Sequence, residues 1–407
     1  MTNENRAKAS TTLVLLILGY AGFYFCRADF SVSKPLIIDE LAASGAFTKD
    51  TAKVALGTVA SWATLAYAFG KLGAGALTDR WGGRTSFLLG MVGAIGATIA
   101  FASGGALPIF TLAWIINRLV QSLGWPGAVR ISGSWFPAAS YGGALGALSL
   151  SYLFGDAAAR ATHGALLAAG WSWRGLFWFS AALLGVILLV NIPLLKERPQ
   201  IPPDLEAPRN DENIGALLRS TSFWCVCALS LCFTLVRETF NEWSPTYFVE
   251  FAKLTPADAA NKSALFPLWG GVAVLIFGWL SDRLGSGGRA LLTLLALPVA
   301  MALLLALGLL PASWLTPVLV GLCGFFLIGP YSYLAGALAL DLGGRKAGAT
   351  ASGLIDGFGY LAGVLAGEGM AKLSVSVGWK GAFLTLAGVA FAALPPAIIL
   401  WRKAQRK

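Results

Sequence analysis

Twelve apolar runs, each long enough to cross a bilayer, limit what this chain can fold into more than any other feature. They cover 11–41, 52–78, 84–103, 107–136, 139–169, 173–195, 219–251, 262–283, 288–310, 313–340, 346–376 and 379–402. A hydrocarbon core ~30 Å thick takes about 20 helical residues to span. Backbone groups in lipid must satisfy one another, so runs of this kind are helices. The expected fold class is an all-α membrane protein with twelve transmembrane helices in two pseudo-symmetric six-helix bundles. The expected domains are an N-terminal bundle over 1–195, a cytoplasmic linker over 196–218 and a C-terminal bundle over 219–407.

The net charge of +10 raises nucleic acid as a partner, but the placement of the charge argues against it. Seventeen lysines and arginines fall at one set of ends: the N-tail, Lys71, Arg80, Arg84, the 196–219 segment, Arg283, Arg289, Arg345, Lys346 and the C-tail. Seven fall at the alternate ends. The positive-inside rule then puts both termini and the central linker in the cytoplasm, in a cell inner or plasma membrane. The short polar opening Met1–Ser10 reads as a tail, not a signal peptide. Cys26, Cys225, Cys227, Cys232 and Cys323 all lie inside apolar runs without metal-ligand spacing, so neither metal nor cofactor is expected. No nucleophile–base arrangement, phosphate-binding loop or dinucleotide fingerprint appears, which argues against an enzyme.

Charges inside the runs mark function. Arg27 and Arg237 lie mid-run in the first and seventh spans. A guanidinium at bilayer depth costs about 2.5–3.5 kcal/mol even on insertion scales. Carrying that cost twice points to a cavity that holds a small anionic solute. Tyr20, Tyr24, Arg27, Ser31 and Lys34 step by 4, 3, 4 and 3 and form one helical stripe. Ser230, Thr234, Arg237, Asn241 and Ser244 repeat that rhythm, and Ser149, Tyr152, Asp156, Arg160 and His163 line a third span. The candidate binding residues are Arg27, Arg237, Tyr20, Tyr24, Tyr152, Asn241 and Lys34. Asp156, Arg160, Glu242 and Asp356 are candidates for coupling or gating. Glu238 lies off the stripe as a structural partner, Glu368 and Lys372 form an i,i+4 pair, and His163 is expected at the rim. For Asp156 three roles stay open: an ion pair, a proton carrier, or a direct substrate contact.

The two halves repeat. Gly75-Ala-Leu-Thr-Asp79-Arg80-Trp-Gly82-Gly-Arg84 recurs as Gly278-Trp-Leu-Ser-Asp282-Arg283-Leu-Gly285, and Trp173-Arg-Gly-Leu-Phe177 as Trp379-Lys-Gly-Ala-Phe383. Gly124-Trp-Pro126 recurs as Gly329-Pro330, and Arg27 as Arg237. Parallel repeats with a site at their interface are a transporter plan. On these motifs the chain resembles the major facilitator superfamily, whose loop motif predicts a cytoplasmic latch at Asp79, Arg80, Arg84, Asp282 and Arg283. The resemblance also implies that spans 3, 6, 9 and 12 form an outer scaffold.

Further segments resemble the organophosphate:phosphate antiporter family. They are Gly19-Tyr20-Ala-Gly-Phe-Tyr24-Phe-Cys-Arg27, Gln121-Ser-Leu-Gly-Trp-Pro126, Arg237 followed by Glu242-Trp243-Ser-Pro-Thr-Tyr247, and Gly357-Phe-Gly-Tyr360. That resemblance implies phosphate binding by Arg27 and Arg237 and places Tyr20 and Tyr24 in the site. It also shows a departure, because Tyr152 stands where the family carries a histidine, with Asp156 and Arg160 following. The expected function is secondary transport of a small organic anion by alternating access, such as a phosphate ester exchanged for inorganic phosphate. Proton- or sodium-coupled symport of such an anion is one alternative, with H+ as co-substrate, and a transporter-like receptor is another. The expected state is a monomer in a lipid bilayer.

Overall fold

The computed structural model describes residues 3–198, 215 and 217–405; the greater part of the 196–218 linker lies outside them. Fifteen α-helices and one π-helical turn account for the ordered backbone among those residues. Nine segments pass as membrane spans on length and hydropathy. The runs at 52–78, 139–169 and 346–376 also form long helices.

The first unit, Met1–Pro202 with Thr255–Ala264, contains α1 (Asn3–Ala43), α2 (Lys49–Trp81), α3 (Gly83–Ser103), α4 (Leu107–Gln121), α5 (Gly124–Trp135), α6 (Ala138–Ala168) and α7 (Trp173–Leu194). The second, Pro203–Leu254 with Leu265–Lys407, begins with α8 (Thr221–Glu250). The short α9 (Pro256–Ser263) follows α8 in sequence but packs in the first unit, against α6. The second unit resumes with α10 (Leu265–Leu309), α11 (Thr316–Tyr331) and the π-turn Leu334–Leu338. It ends with α12 (Ala339–Leu365), α13 (Glu368–Ser376), α14 (Gly378–Ala392) and α15 (Leu394–Ala404).

Local chemistry explains the breaks. Pro126 has no N–H to give Ser122, and α4 ends at Gln121 before α5 restarts at Gly124. Gly285 at φ 69° turns the chain between the two membrane crossings of α10, a conformation that favours glycine. In α1 the helix breaks at Cys26, where ψ reaches 15°, immediately before Arg27.

Aromatic packing sets the first unit's core. Phe101 stacks on Phe177 at 4.6 Å and on Phe110 at 4.8 Å, while Phe30 lies 4.6 Å from Trp114. In the most apolar stretch of α8, 72% of residues are buried, against 33% in that of α7 and 39% over Gly378–Ala404. The sixth and twelfth spans are the least buried, while the ninth, Gly287–Leu309, is 44% buried like the fourth and eighth. The third span, Gly83–Ser103, is 50% buried, the same as the first, so burial does not separate that pair.

Candidate functional site

In the first unit the kink at Cys26 presents Arg27 to α4 and α2. Its Nε donates to Gln121 Oε1 at 2.5 Å, and Nη1 donates to the Tyr24 hydroxyl at 3.3 Å. The guanidinium lies 4.8 Å from the Tyr24 ring and 4.7 Å from the Tyr67 ring. Gln121 is fixed in turn, donating to Asn117 Oδ1 at 2.6 Å, and Asn117 donates to Thr98 Oγ1 at 3.0 Å. A relay of buried amides therefore orients the arginine. Among the described residues no carboxylate pairs with Arg27, which is what an anion site needs.

Tyrosines line the same region. Tyr20 and Tyr24 meet edge-on at 5.8 Å, Tyr152 of α6 lies 5.6 Å from Tyr24, and Trp125 lies 5.4 Å from Tyr20. Arg27, Tyr20, Tyr24 and Tyr152 thus come together as one cluster. Lys34 is fully buried with its ammonium 4.8 Å from the Phe30 ring, which packs in turn with Trp114 and Phe101.

Sequence reasoning missed Tyr67, Lys71 and Gln121. The Tyr67 ring of α2 has Arg27 at 4.7 Å, Arg118 at 5.2 Å and the Lys71 ammonium at 5.4 Å. The available signal was Tyr67 and Lys71 at i,i+4 spacing in an otherwise apolar helix.

In the second unit Arg237 donates from Nη2 to Glu238 Oε1 at 2.6 Å, and its guanidinium lies 4.4 Å from the Tyr331 ring. Glu238 is a structural partner, as its position off the stripe suggests. Asn241 and buried Glu242 follow one turn later on α8, and Asp356 lies on α12. The upper part of the α8 stripe differs from expectation. Ser230 donates to Ile355 O at 2.9 Å, and a Cβ on Gly359 would sit 2.7 Å from both Ser230 Oγ and Thr234 Oγ1. Ser230 and Thr234 are therefore the contact surface between α8 and α12 and do not line a path.

On α6 the Arg160 Nε donates to Asp156 Oδ1 at 3.0 Å, so the ion pair exists in this structure. Arg160 Nη1 also donates to Ser263 Oγ at 3.3 Å on α9. His163 is not at a rim. It is wholly buried, 3.0 Å from Ser180 Oγ, and packs edge-on against Phe25. Glu368 and Lys372 pair at 2.6 Å.

Residues 16–367 match the Major Facilitator Superfamily. The chain belongs to that superfamily. It is a multi-pass secondary transporter, not an enzyme. Its relatives include a probable hexose phosphate transport protein of Chlamydia trachomatis, 26% identical over 96% of this chain and 90% of that protein. The membrane sensor protein UhpC of Salmonella typhimurium is 29% identical over 92% and 87%. The glycerol-3-phosphate transporter of Bacillus subtilis is 25% identical over 96% and 92%. These relatives carry the likeness to the organophosphate:phosphate antiporter family. Among solved structures, a bacterial homolog of the human lysosomal transporter Spinster matches with a TM-score of 0.73 at 15% identity, covering 98% of this chain and 97% of that one.

The superfamily's loop motif is bonded to neighbouring helices and helix ends. Arg130 of α5 donates to Thr78 O at 3.1 Å, Asp79 O at 3.0 Å and Asp79 Oδ1 at 3.3 Å. Its Nε donates to Glu197 Oε1 at 2.8 Å, while Glu197 Oε2 accepts the backbone N–H of Arg84 at 2.9 Å. Arg84 itself donates to Leu195 O and Ile192 O at the end of α7. Arg80 stays exposed. In the second copy Asp282 and Arg283 are also exposed, and the ion pair is Arg289 with Asp341 at 2.6 Å.

Proposed function

We propose that this transporter carries a small organic phosphate ester, with Arg27 and Arg237 as ligands to the phosphate and Tyr20, Tyr24, Tyr67 and Tyr152 lining the path. The observation that carries this reading is Arg27 itself. It is a guanidinium in a membrane helix, held by an amide and two aromatic rings with no carboxylate partner among the described residues. Neutral partners orient the fork and leave its charge for an incoming anion. A phosphate monoester brings roughly −1.5 to −2 charge near neutral pH and several acceptor oxygens. The names of the curated relatives, with hexose phosphate and glycerol-3-phosphate among them, support the same class of solute.

Exchange for inorganic phosphate follows from the same charge. An empty carrier must move an uncompensated guanidinium through apolar surroundings, whereas a loaded one moves a neutralised pair, so reorientation favours the bound state. The Asp156–Arg160 pair counts against proton coupling at Asp156, because its carboxylate is already engaged by a buried guanidinium. The proposal places both termini and the Asp79–Arg84 loop in the cytoplasm, with the chain acting as a monomer. Likeness to a membrane sensor leaves a receptor as the second reading.

Counterflow in proteoliposomes loaded with inorganic phosphate tests these readings together. The expected result is uptake of labelled phosphate ester that requires internal phosphate and ignores an imposed pH or sodium gradient. Uptake of carboxylates alone, or accumulation driven by a proton gradient, contradicts the proposal. Tight binding without any flux is the signature of a receptor.

A further inference from the structure

Two fully buried titratable groups of the first unit, Asp29 on α1 and His163 on α6, have no part in the site described above. Neither forms an ion pair among the described residues. Both lie at the break in α1, where Cys26 takes φ −77° and ψ 15° while a helix keeps ψ near −42°. Sharp bends in helices come from proline, small residues, a π-bulge or a side chain entering the hydrogen-bond ladder. Residues Phe23 to Phe30 include no proline or glycine, and Pro35 acts on the carbonyl of Ser31.

Side chains do enter the ladder here. In an unbroken helix Cys26 O takes the N–H of Phe30. In this structure that N–H donates to Asp29 Oδ1 at 2.7 Å, and Cys26 O accepts from Gln121 Nε2 at 3.4 Å. The preceding carbonyl, Phe25 O, accepts from the Ser180 hydroxyl of α7 at 3.2 Å. Ser180 has one proton to give and Phe25 O only accepts, so Ser180 Oγ takes its own hydrogen bond from His163 Nε2 at 3.0 Å. His163 therefore carries its proton on Nε2, and Nδ1, which has no partner, is a bare acceptor. The same imidazole packs edge-on against the Phe25 ring at 5.9 Å.

We infer that Asp29, Ser180 and His163 are positioning residues for Arg27, which hold the break in α1 and so set the angle at which the guanidinium reaches Tyr24 and Gln121. A backbone group freed inside a membrane helix needs a new partner, and these side chains supply one on each side of the break. Arg27 is the first residue past it. Returning Cys26 to helical ψ would turn the chain beyond it by about 57° relative to Tyr20 and Tyr24. That rotation moves Arg27 off its bonds to Tyr24 and Gln121. The effect on transport rests on the reading of Arg27 as a phosphate ligand.

The test measures self-exchange of labelled inorganic phosphate in proteoliposomes holding the full chain. Ser180→Ala and His163→Leu should each raise half-saturation by about three- to tenfold, the effect of one lost hydrogen bond, with little change in maximal rate. His163→Gln, whose amide reaches the Nε2 position, should restore the wild-type value. Asp29→Asn keeps an acceptor for Phe30 N and should rescue the loss seen in Asp29→Ala. In an Arg27→Lys background Ser180→Ala should add little, because it acts through the arginine fork. Wild-type half-saturation in Ser180→Ala, or equal losses in both backgrounds, overturns the inference. A loss in Asp29→Asn as large as in Asp29→Ala overturns the role of Asp29 as a backbone cap. If the wild type exchanges no phosphate, the phosphate reading fails, and the thiol introduced by Arg27→Cys carries the test alone. Position 27 is half-buried, so a maleimide should label that thiol above the wild-type background. Adding Ser180→Ala should slow the labelling severalfold, and an unchanged rate overturns the inference independently of any substrate.

Discussion

A guanidinium keeps its proton in any protein environment, so what surrounds it decides whether its charge is spent or available. Arg237 is matched by Glu238 at 2.6 Å, Arg160 by Asp156 at 3.0 Å, and Arg27 by neutral groups only. Lysine at position 27 or 237 retains the charge and loses the planar fork. Arg27→Lys and Arg237→Lys should therefore each weaken ester binding by about tenfold or more, measured as the rise in half-saturation for counterflow. Wild-type affinity in both would remove the phosphate-clamp role. Gln121→Met keeps the volume but takes the acceptor from Arg27 Nε. A hydrogen bond to a charged group is worth about 1.5–3 kcal/mol, so affinity should fall by about tenfold with protein yield unchanged. Glu238→Gln has the opposite sign. It frees the Arg237 charge and should tighten ester binding, which a lowered half-saturation constant would report.

At the scale of helices, close approach and pairing on α6 carry the testable content. A Cβ on Gly164 would lie 2.4 Å from Asn261 Oδ1 and 2.9 Å from the backbone Ala257 O, so only glycine lets α9 seat there. Gly164→Val should displace α9 and raise the accessibility of a cysteine introduced at Ala260, now fully buried. Unchanged labelling of that cysteine would contradict the packing argument. Asp156→Ala strands Arg160 in a buried position, and breaking a buried pair costs about 3–5 kcal/mol. The melting temperature in detergent should drop clearly for Asp156→Ala and recover in the double variant Asp156→Leu with Arg160→Met. A variant that melts like wild type yet loses all pH dependence of uptake would instead favour proton coupling at Asp156.

For the molecule as a whole, the Arg130–Asp79–Glu197 network ties α2, α3, α5 and the end of α7 together within one unit. Asp79→Asn and Glu197→Gln should slow exchange while leaving affinity within about tenfold. Loss of binding in a folded variant would place these residues in the site instead. The sequence by itself determined the membrane-spanning helices, the internal repeat and the two arginines, because twenty-residue apolar length and helical spacing are properties of consecutive residues. It also exposed Tyr20, Tyr24 and Tyr152, which follow the same spacing. Only the tertiary structure decided what each charge meets. Gln121 is 94 positions from Arg27 and Glu197 is 67 from Arg130, and Lys34 shares a stripe with Arg27 yet is buried under Phe30. Asp79 turned out to belong to Arg130 and not to its neighbour Arg80, and the repeat itself continues in a form that spacing did not reveal. Glu40 accepts from Trp173 Nε1 at 2.6 Å as Glu250 does from Trp379 Nε1 at 2.7 Å. The physical reason is that apolar periodicity fixes which face of a helix turns inward but not which helix it faces. Partner choice among buried polar groups depends on packing between segments far apart in the chain.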